Sequence, residues 1–454
     1  LNLKTWNFTY TMAPIAVTPE SSGTSTPIAA QASTLTQAGI QHHGHDGDNL
    51  APLDASKMIV TLNTSPRDVP AMDSPEVMAQ KTCTDHMVTA AWDEKTGWAA
   101  PELKPYGPFS IMPSASVLHY ATECFEGLKL YRGYDDKLRL FRVNRNCERM
   151  RRSCERIALP DFDAKELEKM IIALCARDGP KWLPSERKGS FLYIRPTMIS
   201  TDPALGVQRP KEALLYVIIA LFPDMSKSLA TPAAPPALKG DAETEKKGIS
   251  GLKLLASTED TIRAWPGGFG YAKLGANYGP SLVAQGEARA RGFDQVLWLF
   301  GQDANVTEAG ASNFFVVWRN KETNRVELVT APLGERIILE GVTRASILEL
   351  ARSRLVEGKT PGSLESVEVV ERKFTMADII EAYEEGRLLE AFAAGTAFFV
   401  APVGLIHYKN KDIEIPTGDG ESGDYAKVLK GWLGGIMYGK ETHEWGVVVD
   451  EVEA

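Results

Sequence analysis

The sequence predicts an α+β protein built as two domains, and three observations carry that expectation. The chain has 454 residues, more than one ordinary compact core encloses. Runs of β-branched and aromatic residues of strand length alternate irregularly with helical periods. Between two such regions lies a stretch, 223–250, that carries Pro232, Pro235, Pro236, Gly240 and the charged run Asp241 to Lys247. That composition cannot bury a core, so it reads as an interdomain linker with an insertion. The expected division is a disordered extension over 1–75, a small domain over 76–222, the linker, and a large domain over 251–454.

Each element has its own justification. Leu1 to Leu50 is rich in Ser, Thr, Ala and Pro without a sustained period, which predicts disorder, with order beginning near Glu76. His86 to Trp92, Lys129 to Tyr131 and Leu138 to Val143 read as strands. Asp163 to Ala176 reads as a helix, with Leu167, Met170, Ile171 and Leu174 on one face. Phe191 to Ile199 and Ala213 to Phe222 are further strands. Beyond the linker, strands are expected at Gln295 to Phe300, Asn313 to Trp318 and Val326 to Thr330, and helices at Thr343 to Leu355 and Tyr425 to Tyr438.

Composition removes several classes of function. A net charge of -9 argues against a polyanion partner, because nucleic-acid binders need a basic stripe to displace counterions. No run of eighteen apolar residues occurs, so no membrane span is expected. The 5 cysteines (Cys83, Cys124, Cys147, Cys154, Cys175) form no Cys-x-x-Cys pair, which suits unpaired thiols better than a disulfide framework or a zinc site. The cluster His42, His43, His45, Asp46 falls in the extension and is expected to bind no metal. No arginine precedes Arg67, unlike an Arg-rich mitochondrial leader, and the chain opens on Leu1 with its first methionine at Met12. Cytoplasm is the expected compartment, mitochondrion the alternative.

The segment with the most chemistry runs from Arg263 through Trp265, Pro266, Gly267, Gly268, Gly270, Lys273, Gly275 and Tyr278 to Gly279. Glycines crowd both sides of one lysine, so the main chain there can approach a ligand closely. A nucleophilic amine works in its neutral form, which desolvation favours. A phosphate-cradling P-loop is excluded, since Gly-x-x-x-x-Gly-Lys-Ser/Thr is absent and Leu274 stands where the hydroxyl belongs. A solvated loop lysine is the plain alternative.

This segment resembles the lysine motif of the branched-chain aminotransferases, members of the fold-type IV pyridoxal-phosphate family. The likeness continues through Tyr278-Gly279-Pro280, Arg291 to Leu299, Val306 to Phe315, Gly341-Val342-Thr343-Arg344, Gly395-Thr396-Ala397, and Tyr438-Gly439 with His443-Glu444-Trp445. Upstream, Thr84 to Met87, Cys124 to Lys129 and Leu192 to Pro196 fit it too. The motifs occur in the family's order over about residues 80 to 446, the insertion apart.

The resemblance implies a fold-type IV architecture, pyridoxal 5'-phosphate as cofactor, and amino transfer between L-leucine, L-isoleucine or L-valine and 2-oxoglutarate. It makes Lys273 the Schiff-base and proton-moving residue, and Glu308 the carboxylate at the pyridine nitrogen. Tyr278 is implied to donate a hydrogen bond to the phenolic oxygen. Phosphate would be held by the guanidinium of Arg149, with Arg151 and Arg152 as competitors, by Val342 and Thr343 opening a helix, and by Thr396. Substrate would meet Tyr193 and Arg195, two apart on one strand face, the aromatic walls Tyr120 and Phe125, and the backbone N–H groups of Thr396 and Ala397. One methylene discriminates weakly, so all three branched-chain amino acids are expected to react.

Some relatives carry a redox-active Cys-x-x-Cys after Gly-Thr-Ala; here those places are Phe398 and Ala401, and no such thiol switch is expected. Family analogy adds a homodimer and small-molecule partners only. The competing readings are a D-amino-acid aminotransferase or aminodeoxychorismate lyase on the same scaffold, and a catalytically silent binder.

Overall fold

The computed structural model describes residues 50–223, 250–397, 399–418 and 422–452. Among these residues the strands form two sheets, one of ten and one of nine strands. The first runs Ile59–Val60, Glu102–Pro105, Cys83–Asp93, Glu212–Leu221, Phe191–Ser200, Leu128–Arg132, Leu138–Phe141, Gly446–Val449 in order of pairing. Its central strands alternate as a half-buried sheet should. Leu192 and Ile194 are fully buried against the helix residues Leu167, Met170, Ile171 and Leu174, whereas Tyr193 and Arg195 leave the other face and are half-buried.

The second sheet follows the path Asn305–Ala309, Gln295–Phe300, Leu252–Ala256, Phe399–Tyr408, Leu388–Gly395, Ser312–Arg319, Val326–Thr330, Val367–Glu371. Ser312–Arg319 pairs both with Leu388–Gly395 and with Asn305–Ala309, so the path closes on itself as a ring of strands. The inner side is filled by Phe314, Val316, Leu297 and Val403, all fully buried. Helices Val342–Arg354 and Asp424–Met437 cover Phe315, Val317 and Phe392 on the outside.

Three expectations are corrected. Order begins well before Glu76: Leu53 is buried, and Ile59–Val60 pairs in parallel with Glu102 and Leu103. This stretch has no period of its own and is held by distant partners, the Asn63 N–H donating to His86 Nε2 at 2.9 Å and the Arg67 N–H to Asp85 Oδ1 at 2.9 Å. The helix expected to stop at Ala176 spans Ala164–Trp182, with Pro180 inside it. Gly179-Pro180 reads as a stop, but Trp182 is fully buried with its Nε1 donating to Asp85 Oδ2 at 2.8 Å, and the Asp178 carboxylate accepts the His86 N–H at 2.9 Å. Gly179 is required for packing, since a Cβ there would stand 2.6 Å from Leu138 Cδ1. Finally, the chain end returns to the first sheet: Gly446–Val449 pairs with Leu138–Phe141, and Arg142 Cζ lies 4.0 Å over the Trp445 ring. The linker, from 224 to 249, and the His42 cluster lie outside the described residues. No group of His, Cys, Asp and Glu able to hold a metal occurs among the described residues.

Candidate active site

Lys273 sits where elements of both sheets meet. Its N–H donates to Ser153 Oγ at 2.9 Å from the helix Val143–Arg156, and its carbonyl accepts the Phe125 N–H at 3.0 Å. The next residue, Leu274, forms an antiparallel bridge with Cys124. Asn277 closes the turn from within, its Nδ2 donating to the carbonyls of Phe269 and Ala272 at 3.0 and 2.8 Å. Gly270 is needed because a Cβ would stand 3.0 Å from the Ile337 carbonyl carbon and closer still to Ala264.

The lysine side chain enters a cavity of about 160 Å³, lined among others by Arg263, Tyr278, Gln295, Trp298, Glu308 and Leu339. Its Nζ lies 3.2 Å from Tyr278 Oη and 4.9 Å from the centre of the Phe125 ring. On the far wall, Glu308 is buried, with Oε1 accepting from the Leu339 N–H at 3.1 Å and from Asn313 Nδ2 at 3.2 Å. Its Oε2 is ion-paired with Arg263, whose Nη2 also donates to the Ile337 carbonyl at 2.8 Å. Burial raises the Glu308 pKa, and Arg263, the Leu339 N–H and Lys273 only partly offset it.

A second polar cluster lies beside the lysine. Arg149, buried, donates from Nε and Nη2 to the two oxygens of the fully buried Glu126 at 2.6 and 2.8 Å, and from Nη1 to the Glu340 carbonyl at 2.8 Å. Three of the five guanidinium N–H groups are thus engaged, leaving one on each terminal nitrogen. Burial opposes both charges, yet the pair wins: Glu126 is held below the usual carboxylate range by Arg149, Lys273 and Asn146, and Arg149 is pushed up by Glu126. The Glu340 carbonyl directly precedes the helix Val342–Arg354, whose N-cap Gly341 offers no side-chain cap. The first N–H groups of that helix, at Val342 and Thr343, therefore keep their donor capacity.

The residues expected on the substrate side form a chain of contacts. Arg195 Nη2 donates to Tyr193 Oη at 2.9 Å, and its guanidinium carbon lies 4.6 Å over the Phe125 ring, which is itself 5.4 Å from the Tyr278 ring. Tyr193 stacks on Phe222 at 4.6 Å. Gly127 makes room for it: a Cβ there would run into the Tyr193 hydroxyl. Thr396 and Ala397 form the turn between Leu388–Gly395 and Phe399–Tyr408, and the Ala397 carbonyl accepts from Lys129 Nζ at 2.9 Å. Tyr120 ends the short helix Val117–Tyr120, is 42% exposed, and gives its hydroxyl to the Leu205 carbonyl. Like Phe125, Tyr193 and Arg195, it is not among the residues lining the 160 Å³ cavity. A larger cavity of about 380 Å³, lined by Leu255, Ile262, Arg291 and His407 among others, holds none of the expected residues.

A family model for amino-transferase class IV matches residues 123–406. The chain belongs to that family. Among its class IV relatives, the branched-chain-amino-acid aminotransferase, cytosolic, of Saccharomyces cerevisiae is 44% identical over 405 residues, covering 89% of this chain and 99% of that protein. The mitochondrial one from the same yeast is 42% identical over 404 residues, covering 88% of this chain and 95% of that protein. The fold is that of the branched-chain amino acid aminotransferase from Thermobaculum terrenum in PLP-form, with a TM-score of 0.58 at 21% identity over 80% of this chain and 98% of that one. The relatives thus include cytosolic and mitochondrial proteins, and no described helix here is long and apolar enough to cross a membrane.

The residues present fit a phosphorylated pyridine aldehyde. An amine and a phenol share one cavity with a buried carboxylate, while a half-engaged guanidinium and an uncapped helix start lie beside them. Arg263 Nε is also buried without a hydrogen-bond partner. Sequence reasoning named Arg263 only as the start of the lysine segment and assigned no role to Glu126, Asn313, Ser153 or Lys129. Glu126, Lys129 and Asn313 lie inside the quoted motifs, so the signal was present, but their partners are set by the fold.

Proposed function

We propose that this class IV chain transfers the amino group between branched-chain L-amino acids and 2-oxoglutarate, using pyridoxal 5'-phosphate carried on Lys273. The observation that supports this most is the placing of Lys273 Nζ beside Tyr278 Oη in the cavity that Glu308 closes. When bound, the cofactor supplies the electron sink that stabilises negative charge at the substrate Cα. Lys273 would hold the cofactor's aldehyde carbon through Nζ, and its free amine would move a proton at the substrate Cα. Tyr278 would donate to the phenolic oxygen, and Glu308, with Arg263 behind it, would meet the ring nitrogen. Arg149, Val342 and Thr343 would hold the phosphate, with Thr396. The Phe125 and Tyr193 rings provide apolar surface for a branched side chain, and the Thr396–Ala397 turn takes the carboxylate.

The protein acts in the cytoplasm as a homodimer in this reading. Support for self-association comes from the exposed apolar side chains Met112, Leu118, Leu205 and Val207. Light scattering of the purified protein tests the dimer. The linker at 223–250 and the large domain at 251–454 remain our division of the chain, while the small domain expected at 76–222 takes in the earlier strand Ile59–Val60 and borrows the last strand, Gly446–Val449.

The absorption spectrum of the purified protein, before and after adding L-leucine, tests the function. A visible band of lysine-bound cofactor should disappear as the amino form accumulates, and 2-oxoglutarate should restore it. A band indifferent to L-leucine but discharged by D-amino acids would refute the substrate class. Cofactor-reconstituted protein without any band would refute the enzyme reading.

A further inference from the structure

Lys129 lies on the strand Leu128–Arg132 directly across from Tyr193, so both side chains leave the face that looks toward the lysine cavity. It is 3% exposed, and burying an ammonium is costly unless the charge is met by aligned dipoles. Here the Nζ lies 3.8 Å from the centre of the Phe191 ring and 4.6 Å from that of Phe399, and it donates to the Ala397 carbonyl at 2.9 Å. The ring faces are the negative ends of the aromatic quadrupoles, so both attract the cation. The bond spans 268 positions of sequence and ties a strand of the first sheet to a turn of the second. That turn is strained on its own account. Phe399 has a φ of 60°, a left-handed conformation that costs a bulky aromatic residue energy and persists only where the surroundings hold it. Tyr131, two residues beyond Lys129 on the same face, adds a ring contact to Phe399 at 6.0 Å.

We propose that Lys129 is a positioning residue for the substrate carboxylate. It holds the Gly395–Ala397 turn in its left-handed closure through the Ala397 carbonyl and Phe399, and it places a buried positive charge behind the N–H groups that take the carboxylate. This rests on the reading above that the turn receives that carboxylate. The carboxylate is the group that every substrate of both half-reactions shares, so Lys129 acts on all of them alike. Side-chain selectivity, which resides at Phe125 and Tyr193, is untouched.

The test uses the holoenzyme and Lys129→Met, which keeps the length and apolar stem but loses charge and donor. KM for L-leucine, L-valine and 2-oxoglutarate should each rise by a common factor of about 10 to 100, with kcat changing less than about threefold. Affinity for 4-methylpentanoate, a leucine analogue without the amino group, should fall by a similar factor in calorimetry. Lys129→Gln, which keeps a donor for the Ala397 carbonyl, should recover part of that loss; it also serves if Lys129→Met does not fold. Equal KM in wild type and variant would overturn the proposal, as would a fall in kcat and melting temperature with KM unmoved, the signature of a merely structural role. Wild-type protein that neither binds 4-methylpentanoate nor turns over L-leucine would instead overturn the functional reading beneath it.

Discussion

Glu126→Gln should destabilise the cofactor-free protein by an amount the buried pair itself sets. The Glu126 carboxylate accepts four hydrogen bonds: from Arg149 Nε at 2.6 Å, Arg149 Nη2 at 2.8 Å, Asn146 Nδ2 at 2.8 Å and the Gly127 N–H at 3.2 Å. Glutamine keeps the shape but turns one acceptor into a donor and leaves the Arg149 charge buried, with the Glu340 carbonyl as its remaining strong acceptor. Breaking a buried pair on one side costs roughly 3–5 kcal/mol, because the surviving charge loses its solvent and its partner together. For a chain of this size, whose unfolding entropy is about 1 kcal/mol/K, the corresponding fall in melting temperature is about 3–5 °C. The double variant Glu126→Gln with Arg149→Met removes the stranded charge and should recover about 2 kcal/mol relative to additivity. The pH dependence has a definite sign. Glu126 titrates below its unfolded range in the folded protein, so its contribution is complete above about pH 5 and is lost as pH falls through the folded value. The gap between wild type and Glu126→Gln should therefore be constant near neutrality and close in acid. Urea titration of both proteins at several pH values measures it. A gap under about 1 kcal/mol at pH 7, or strict additivity in the double variant, would refute the reasoning.

Lys273→Ala should reduce transamination by at least about 10²–10⁴-fold while circular dichroism and melting stay near wild type, since the side chain ends in a cavity; undiminished turnover would remove it from the mechanism. Gly127→Ala puts a Cβ 3.0 Å from Tyr193 Cζ and nearer its hydroxyl. With that ring stacked on Phe222 and bonded to Arg195, the variant should lose about 1–3 kcal/mol and raise KM for L-leucine, and a wild-type KM and melting curve would count against a fixed Tyr193. Asp135 is held down to about 2 by Arg139, whose Nη1 donates to it at 2.6 Å. Because the Asp135 side chain is 35% exposed, solvent screening limits its worth to about 1 kcal/mol; Asp135→Asn should cost that much at pH 7, and the cost should fade as pH drops from about 4 toward 2. A pH-independent difference in urea midpoint would show that Asp135 acts by hydrogen bonding alone.

What was legible in the chain follows from what local pattern can encode. The alternation in Phe191–Ser200 places Leu192 and Ile194 inward, so the shared outward face of Tyr193 and Arg195 is a two-residue argument. Lys273 and Tyr278 share one short glycine-rich segment, and their 3.2 Å approach needs little more than that segment's own folding. By contrast, residues 50–75 carry no period, and their order comes from contacts such as Lys181 Nζ to the Arg67 carbonyl at 2.5 Å, 114 positions away. Gly179-Pro180 has the chemistry of a helix end and is overridden by the buried Trp182 and Asp178. The setting of Tyr120 is likewise fixed by the fold, since Ala121 turns left-handed right after its helix and the distant Leu205 carbonyl takes its hydroxyl. Arg263 escaped notice as a partner of Glu308 for a related reason. Its distance in sequence from Glu308 carries no information until the fold brings the two side chains together.

Of the glycines around Lys273, Gly270 and Gly275 sit at close contacts, whereas Gly267 takes a left-handed φ in open space. Gly275 faces the strand Glu123–Phe125, and a Cβ there would stand 2.7 Å from the Glu123 carboxyl carbon, so the Glu123 side chain would have to turn away. The Cys124–Leu274 bridge, the Phe125 N–H and Ser153 Oγ hold the lysine main chain on its flanks, so its Cα is fixed while the four-carbon stem stays movable in the cavity. A residue that must hold a carbon, release it and then carry a proton at the neighbouring atom needs both properties. A fixed Cα keeps the amine within reach after release, which turns each return into an encounter inside one cavity rather than a search. A free stem lets Nζ move between those two atoms by rotation about its own bonds. A helical lysine would have a fixed Cα as well, but its carbonyl would be spent inside the helix. It could not accept the Phe125 N–H that also brings Phe125 and, through Glu126, Arg149 to the site.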